Sequence, residues 1–85
     1  MKEIVIYSSA HCPYCIMAKE LLESKNVQFQ ERRVDEKFEY ARESVEKSGG
    51  RKTVPQVFIG EVHVGGYDDL YALDQEGKLD PLLEE

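Results

Sequence analysis

The amino-acid sequence predicts an α/β fold in which a four-stranded mixed sheet carries helices on both faces. Three observations lead to this prediction. The unbroken apolar run Ile4, Val5 and Ile6 is typical of a central strand that is covered on both sides. Segments with helical spacing of apolar residues follow this run. Further along, two short apolar stretches separated by Gly60 and Glu61 are typical of a β-hairpin.

The first part of the chain is predicted to form a strand, a helix and a second strand. The first strand covers residues 2–7. Pro13 suits the first position of a helix, because its φ is preset and its missing N–H needs no partner there, and we expect this helix to run to about residue 25. Residues 27–34 alternate and form the second strand, parallel to the first. The helix offers these side chains to the core: Ile16, Ala18, Leu21 and Leu22.

A second helix is predicted over residues 36–48. Asp35 can cap its first turn, and Gly49 with Gly50 ends the pattern. Its apolar positions recur at helical spacing, and most of its charged residues are expected to face water. The apolar positions are Phe38, Ala41 and Val45.

The last third is predicted to contain a hairpin and two helices. The hairpin strands cover residues 57–59 and 62–64, and a third helix covers 68–73. Leu79, Leu82 and Leu83 indicate a short final helix that covers an edge of the core. Two parallel strands joined by a right-handed helical crossover, followed by a hairpin, give the mixed sheet.

Length and charge limit the functions that the chain can have. Its 85 residues fit a single domain over 1–85. A net charge of −6 disfavours binding to a phosphate backbone, so we expect no nucleic-acid partner. No apolar run is long enough for a signal segment or a membrane span, and two cysteines are too few for a secreted disulfide framework. We therefore expect a soluble cytoplasmic monomer.

Both cysteines lie in one short motif, Cys12–Pro13–Tyr14–Cys15. A crosslink this short removes little freedom from the unfolded chain, so redox chemistry is a better explanation than structural stapling. Cys12 at the start of a helix faces unpaired N–H groups and the positive end of the helix dipole, which should lower its thiol pKa. Cys15, one turn inside the helix, should be less exposed. We therefore predict that Cys12 attacks a disulfide and that Cys15 resolves the product.

Three segments carry a resemblance to a known family. The motif CPYC follows the first strand, TVP stands at residues 53–55 before a later strand, and GGYDDL stands at residues 65–70. Together, in this order and separation, they resemble the signature segments of the glutaredoxins, most closely the short bacterial dithiol type. The resemblance covers nearly the whole chain.

The resemblance implies a thioredoxin-like fold and a glutathione-dependent oxidoreductase that reduces protein disulfides and glutathione mixed disulfides. It implies deglutathionylation and electron transport in cell redox homeostasis, with ribonucleotide reductase among the candidate partners and no metal cofactor. It also implies that Pro55 is a cis-proline and that Val54 offers its backbone to glutathione. The residues implied to bind glutathione are Tyr14, Thr53, Val54, Pro55, Gly66, Tyr67 and Asp68.

The sequence departs from the family pattern at two positions. Many glutaredoxins carry a lysine three residues before the first cysteine, where this chain has Ser9, and some carry a cysteine where it has Tyr67. The cation that replaces the lysine stays open at this point. The candidates are His11, Arg42, Arg51 and Lys52.

Three alternatives to the glutathione-dependent enzyme stay open. A structural zinc site would need His11 and His63 beside the two cysteines, an awkward set because His11 and Cys12 are adjacent. An iron–sulfur cluster scaffold or carrier would use one cysteine per subunit plus external thiols. A thioredoxin-like donor would be reduced by a flavoprotein instead of glutathione. For His63 a locally bonded or solvent-facing ring is the simpler expectation.

Overall fold

The computed structural model describes residues 2–84, which form four strands and four helices. The elements in chain order are β1 (Ile4–Ser8), α1 (Pro13–Ser24), β2 (Gln30–Arg33), α2 (Phe38–Lys47), β3 (Gln56–Ile59), β4 (Val62–Gly65), α3 (Tyr67–Gln75) and α4 (Leu79–Glu84). Each predicted strand and helix is present, and β2 is shorter than the predicted residues 27–34. Within residues 2–84, every helix is too short or too polar to cross a bilayer.

The strands form one mixed sheet in the order β2–β1–β3–β4. β1 pairs in parallel with β2, so that Val5 lies opposite Gln30, and it pairs antiparallel with β3, so that Val5 also lies opposite Phe58. β3 and β4 form the antiparallel hairpin, with an irregular register near Val57. β1 is therefore a central strand, as its unbroken apolar run predicts.

Helices cover both faces of the sheet. On one face, α1, α3 and α4 pack over alternate strand residues. On the other face, Tyr40 of α2 and Val34 pack over Val5, Tyr7 and Phe58. This arrangement confirms the predicted fold class. The larger core contains Ile4, Ile6, Ala18, Leu22, Val57, Ile59, Leu70, Leu79 and Leu83.

The buried side of α1 differs from the prediction at one position. Cys15, Ala18 and Leu22 are buried, whereas Ile16 is 51% exposed. Two helical residues correspond to roughly 200° of rotation, so Ile16 lies on the opposite side of the helix from Ala18. The prediction that Ile16 belongs to the core is wrong, because only the side of α1 that carries Cys15, Ala18 and Leu22 faces the sheet.

The start of α2 also differs from the prediction. The helix begins at Phe38, and Lys37 occupies the N-cap position without a side-chain hydrogen bond. Asp35 is therefore not the cap, because its carboxylate accepts hydrogen bonds from Arg33 and from the backbone of Ala10. Phe38 is 73% exposed, so it faces water instead of the sheet.

A polar cluster joins α2 to the sheet where an apolar contact was expected. The buried Tyr7 hydroxyl donates to Glu43 Oε1 at 2.9 Å. Arg32 Nη1 donates to the same carboxylate oxygen at 2.7 Å and to the Tyr7 hydroxyl at 3.1 Å. Burial and the hydrogen bond to Glu43 raise the pKa of Tyr7. The side of α2 that faces the sheet is thus partly polar, which the spacing of its apolar residues does not reveal.

Leu22, which is buried, and Ile16, which is exposed, give a direct test of how α1 packs. We expect Leu22→Ala to lower the free energy of unfolding by about 3 kcal/mol, since it removes a fully buried side chain and leaves a cavity. Ile16→Ala is the matched control and should cost less than about 1 kcal/mol, because half of this side chain already contacts water. Urea denaturation monitored by circular dichroism measures both. Equal losses would contradict the orientation of α1.

Candidate active site

Cys12 caps the start of α1. Its backbone is extended, its carbonyl accepts the Ile16 N–H at 3.1 Å, and its Sγ accepts the Cys15 N–H at 3.2 Å. Pro13 occupies the first helical turn, where its missing N–H needs no partner. The sulfur therefore faces the unpaired donors at the positive end of the helix, as the motif predicts.

Cys12 and Cys15 form a disulfide, and their Cα atoms are 5.2 Å apart. Cys15 is 1% exposed beneath the first turn of α1, whereas Cys12 is only partly buried. The predicted asymmetry in exposure is confirmed. An approaching molecule reaches the Cys12 sulfur first.

The TVP segment lies directly beside this sulfur. The Val54–Pro55 peptide bond is cis, which confirms the expectation that the resemblance gave for Pro55. The Val54 carbonyl oxygen is 3.9 Å from Cys12 Sγ. Chain segments 42 residues apart in sequence thus meet at the reactive sulfur.

A groove of about 400 Å³ extends from this point. Every residue that the resemblance implied for glutathione lines it, and Arg51 and Asp69 line it as well. The groove residues are Tyr14, Arg51, Thr53, Val54, Pro55, Gly66, Tyr67, Asp68 and Asp69. The groove begins at the start of α1, so a peptide-like ligand bound in it would lie next to the redox-active Cys12 sulfur.

Gly65 and Asp69 shape the far end of the groove. Gly65 has a φ of +118°, a conformation that disfavours any side chain, and a Cβ at this position would collide with the Asp69 carboxylate. That carboxylate accepts the Gly66 N–H at 3.0 Å. Sequence reasoning did not single out Asp69. The signal was available, since an acidic residue three positions after a helix N-cap often bonds the cap N–H.

Charge at this end of the groove has both signs. The first-turn N–H groups of α3, at Tyr67 and Asp68, have no acceptor within the helix and form its positive end. Arg51 Nη1 lies 3.7 Å from Asp69 Oδ2. Arg51 is thus the candidate cation that lines the groove, whereas Arg42 lies on α2, 3.9 Å from Glu46.

Aromatic rings form one wall of the groove. Tyr14 stacks on Tyr67 with ring centroids 6.1 Å apart, and Tyr67 contacts Tyr71 at 5.9 Å. The first ring comes from the CPYC motif and the second from GGYDDL. The stacking therefore fixes α3 against the turn that carries Cys12.

Comparison with known proteins identifies the family. A family model described as Glutaredoxin matches residues 4–64, well over half of the chain. The chain belongs to the glutaredoxin family. It is 57% identical over 83 residues to a glutaredoxin of Pseudomonas aeruginosa, and the match covers 98% of each chain.

Solved glutaredoxin structures share the fold. The solution structure of a Brucella melitensis glutaredoxin matches with a TM-score of 0.84 and 53% identity, over 98% of this chain and 89% of that one. A crystal structure of a buckwheat glutaredoxin–glutathione complex matches with a TM-score of 0.87 and 30% identity, over 98% of this chain and 77% of that one. The fold is thioredoxin-like, and the chain is a glutathione-dependent thiol–disulfide oxidoreductase.

The comparisons do not favour the iron–sulfur scaffold. Within residues 2–84, no group of three or more His, Cys, Asp or Glu side chains is arranged to hold a metal ion. His63, considered above as a zinc ligand, instead bonds Gln56 Oε1 at 2.7 Å. The expectation of a locally bonded ring is confirmed.

In this glutaredoxin the loop before Cys12 is tied to the end of β2. Asp35 Oδ2 accepts the Ala10 N–H at 3.2 Å, and Arg33 donates to both Asp35 oxygens at 2.9 and 2.7 Å. His11, the next residue, has a φ of +57°. The hydrogen bonds from Arg33, followed by the one from Ala10, hold the pKa of the Asp35 carboxyl well below its usual range. Asp35 thus anchors the active-site loop.

This anchor predicts a pH-dependent contribution to stability. The folded-state pKa of Asp35 lies below its unfolded value, so its charge stabilises the fold above pH of about 4 and this stabilisation is lost as the pH falls further. We expect Asp35→Asn to melt at a lower temperature than wild type at pH 7, and the difference to shrink below pH of about 4.

Differential scanning calorimetry from pH 7 to pH 2 measures this difference. Glu39→Gln, which removes an exposed carboxylate from the first turn of α2, is the control. A deficit of Asp35→Asn that grows on acidification would contradict the assignment, since it would mean that protonation of Asp35 stabilises the native chain.

Proposed function

We propose that Cys12 is the nucleophile, that Cys15 is the resolving thiol, and that the groove beside Cys12 holds the glutathionyl part of the substrate. One observation supports the proposal above the others. The partly buried Cys12 lies at a helix start with its sulfur 3.9 Å from the Val54 carbonyl oxygen, and Val54 lines the groove, whereas Cys15 is fully buried. A substrate disulfide in the groove reaches Cys12 first.

The reaction is thiol–disulfide exchange in two steps. The Cys12 thiolate attacks the glutathione sulfur of a mixed disulfide, the substrate S–S bond breaks, and the released thiolate takes a proton from water. A second glutathione thiolate then attacks the Cys12–glutathione disulfide, which releases glutathione disulfide and restores the Cys12 thiolate. Sulfur and electrons balance, because one disulfide is reduced and one is formed.

The start of α1 lowers the barrier to the first step. Its unpaired N–H groups stabilise negative charge on the Cys12 sulfur, and the Cys15 N–H already points at that sulfur at 3.2 Å. The same donors stabilise the Cys12 thiolate as the leaving group in the second step. For a protein disulfide, the Cys12 thiolate first attacks one protein sulfur, forms a mixed disulfide and releases the other sulfur as a thiolate. The Cys15 thiolate then attacks the Cys12 sulfur, releases the remaining protein thiolate and closes the disulfide that the structure contains. Two glutathione thiols reduce this disulfide and leave as glutathione disulfide.

Groups in the groove match the ends of glutathione. The backbone of Val54 is available to a peptide, and Tyr14, in the first turn of α1, lines the groove beside it. The first-turn N–H groups at Tyr67 and Asp68 suit the γ-glutamyl carboxylate, and the Asp68 carboxylate suits its ammonium group. Arg51, which lies 3.7 Å from Asp69 at this same end of the groove, adds a positive charge for the γ-glutamyl carboxylate.

We extend the proposal to cellular role. Glutathionylated proteins and protein disulfides, ribonucleotide reductase among them, are the proposed substrates of a cytoplasmic monomer. The support is compositional: two cysteines in one redox motif suit a reducing compartment, and a net charge of −6 favours solubility. Light scattering during gel filtration tests the monomer, and a dimer would contradict it.

Single-cysteine variants separate the roles of the two thiols. We expect Cys12→Ser to abolish reduction of the mixed disulfide of glutathione and 2-mercaptoethanol, because a serine hydroxyl is not ionised at neutral pH. Cys15→Ser should keep activity within about three-fold of wild type, since glutathione itself regenerates Cys12. The coupled oxidation of NADPH through glutathione reductase measures both. Activity in Cys12→Ser would refute the assignment.

Loss of the resolving thiol should also trap protein partners. We expect Cys15→Ser to accumulate mixed disulfides with proteins carrying oxidised cysteines, because the Cys12–partner bond can no longer be broken from within. Non-reducing gels and mass spectrometry after incubation with oxidised ribonucleotide reductase detect them. The variant lacking both cysteines is the control. The absence of any trapped reductase would remove that enzyme from the proposed partners.

A further inference from the structure

A chain of hydrogen bonds runs behind the groove from β4 to the residue that precedes Val54. His63 Nε2 lies 2.7 Å from Gln56 Oε1. Gln56 Nε2 donates to the Thr53 carbonyl oxygen and to Thr53 Oγ1, each at 3.2 Å. Gln56 is fully buried, so its amide exchanges no hydrogen bonds with water. Both ends of that amide are therefore satisfied only by this chain.

The direction of each hydrogen bond follows from the partners. The Thr53 carbonyl oxygen can only accept, so the amide nitrogen of Gln56 faces it and the amide oxygen faces His63. His63 must then donate from Nε2. Burial, and next the charge of Arg51, lowers the pKa of His63, which favours the neutral ring. The imidazolium also carries an Nε2 hydrogen, so protonation does not break the bond.

Packing holds the donor in place. The His63 ring stacks on Phe58 with centroids 4.7 Å apart and an interplanar angle of 21°. Phe58 in turn packs edge-on against Tyr7 at 5.7 Å. His63 therefore presents its Nε2 hydrogen to Gln56 in one fixed direction.

The chain ends on a segment that the sheet does not otherwise constrain. Residues 51–55 belong to no helix or strand. Ser48 Oγ bonds the N–H and the carbonyl of Arg51, each at 3.1 Å, and so anchors the beginning of the segment. Gln56 anchors Thr53, which is adjacent to Val54. The hydrogen bond to the Thr53 carbonyl oxygen thus holds the Thr53–Val54 peptide, and Val54 lines the groove.

We propose that Gln56, itself oriented by His63, is a positioning residue that fixes the Thr53–Val54 peptide for the glutathionyl group of the substrate. The proposal rests on the proposed function, namely that the groove binds glutathione. It predicts that loss of this hydrogen-bond chain weakens binding of the glutathionyl substrate and leaves the reactivity of the Cys12 thiolate unchanged. The Cys12 thiolate is stabilised by the start of α1, which this chain of hydrogen bonds does not touch.

The test uses the bond count of the side chains. The amide nitrogen of glutamine is as many bonds from Cβ as Nε2 of histidine, so it can replace that donor. The amide nitrogen of asparagine is one bond nearer to Cβ and corresponds to Nδ1 of histidine. His63→Gln therefore keeps a donor at the position of Nε2. His63→Asn is the matched control, because it has no donor at that position. Gln56→Met keeps the unbranched bulk and removes both ends of the amide. Thermal melts establish that each variant is folded.

Two readouts are needed for these full-length variants. The first is KM and kcat for the mixed disulfide of glutathione and 2-mercaptoethanol. The second is the rate of Cys12 alkylation by iodoacetamide in a Cys15→Ser background. We expect His63→Asn and Gln56→Met to raise KM by about five-fold, with kcat and alkylation within about two-fold of wild type. His63→Gln should restore KM to within about two-fold of wild type.

Other outcomes overturn the proposal. It fails if His63→Asn has the KM of wild type, or if His63→Gln and His63→Asn raise KM equally. It also fails if alkylation slows in step with turnover, because that would show a general structural defect. The half-buried His63 pair decides the question even if Gln56→Met does not fold. If dithiothreitol reduces the Cys12–Cys15 disulfide of the wild type but the reduced protein does not turn over the glutathione mixed disulfide, the proposed function itself is wrong.

Discussion

The site depends on the contact between the Cys12 sulfur and the first turn of α1. A helix start always presents N–H groups without partners, and here the residue that satisfies one of them is the reactive cysteine. The turn can do this only because α1 is fixed on the sheet through Ala18 and Leu22. The apolar core and the electrostatics of the sulfur therefore depend on each other. Burial of one side of α1 fixes the helix so that its positive end faces the Cys12 sulfur.

Three loops shape the surroundings of the start of α1, and one of them contacts the Cys12 sulfur through Val54. The cis Val54–Pro55 turn comes from the beginning of β3, the glycine pair from the end of β4, and the Asp35 anchor from the end of β2. Each loop is held by a polar contact that a regular element supplies. The sheet order β2–β1–β3–β4 places these strand ends where they can surround the end of α1.

Local signals in the sequence predicted most of this. The apolar run of β1, Pro13 at a helix start and the hairpin turn were sufficient for the elements and their order, and the family resemblance named most of the residues that line the groove but neither placed Arg51 there nor singled out Asp69. The features that could not be predicted depend on contacts between residues that are far apart in sequence. Tertiary packing alone determines that Ile16 faces outward from α1. It also determines that Asp35 bonds Ala10 instead of capping α2. Gln56 appears in the sequence as one polar residue within a strand, and its partners become visible only in three dimensions.

The disulfide joins two residues on the same turn of the same helix. It ties no strand to another and no helix to the sheet, so oxidation and reduction change bonding at one end of α1 while leaving the packing between elements alone. We therefore expect the packing between the helices and the sheet to be the same in the oxidised and the reduced protein. A partner that distinguishes the two states would therefore recognise the first turn of α1, where the bonding of Cys12 and Cys15 changes.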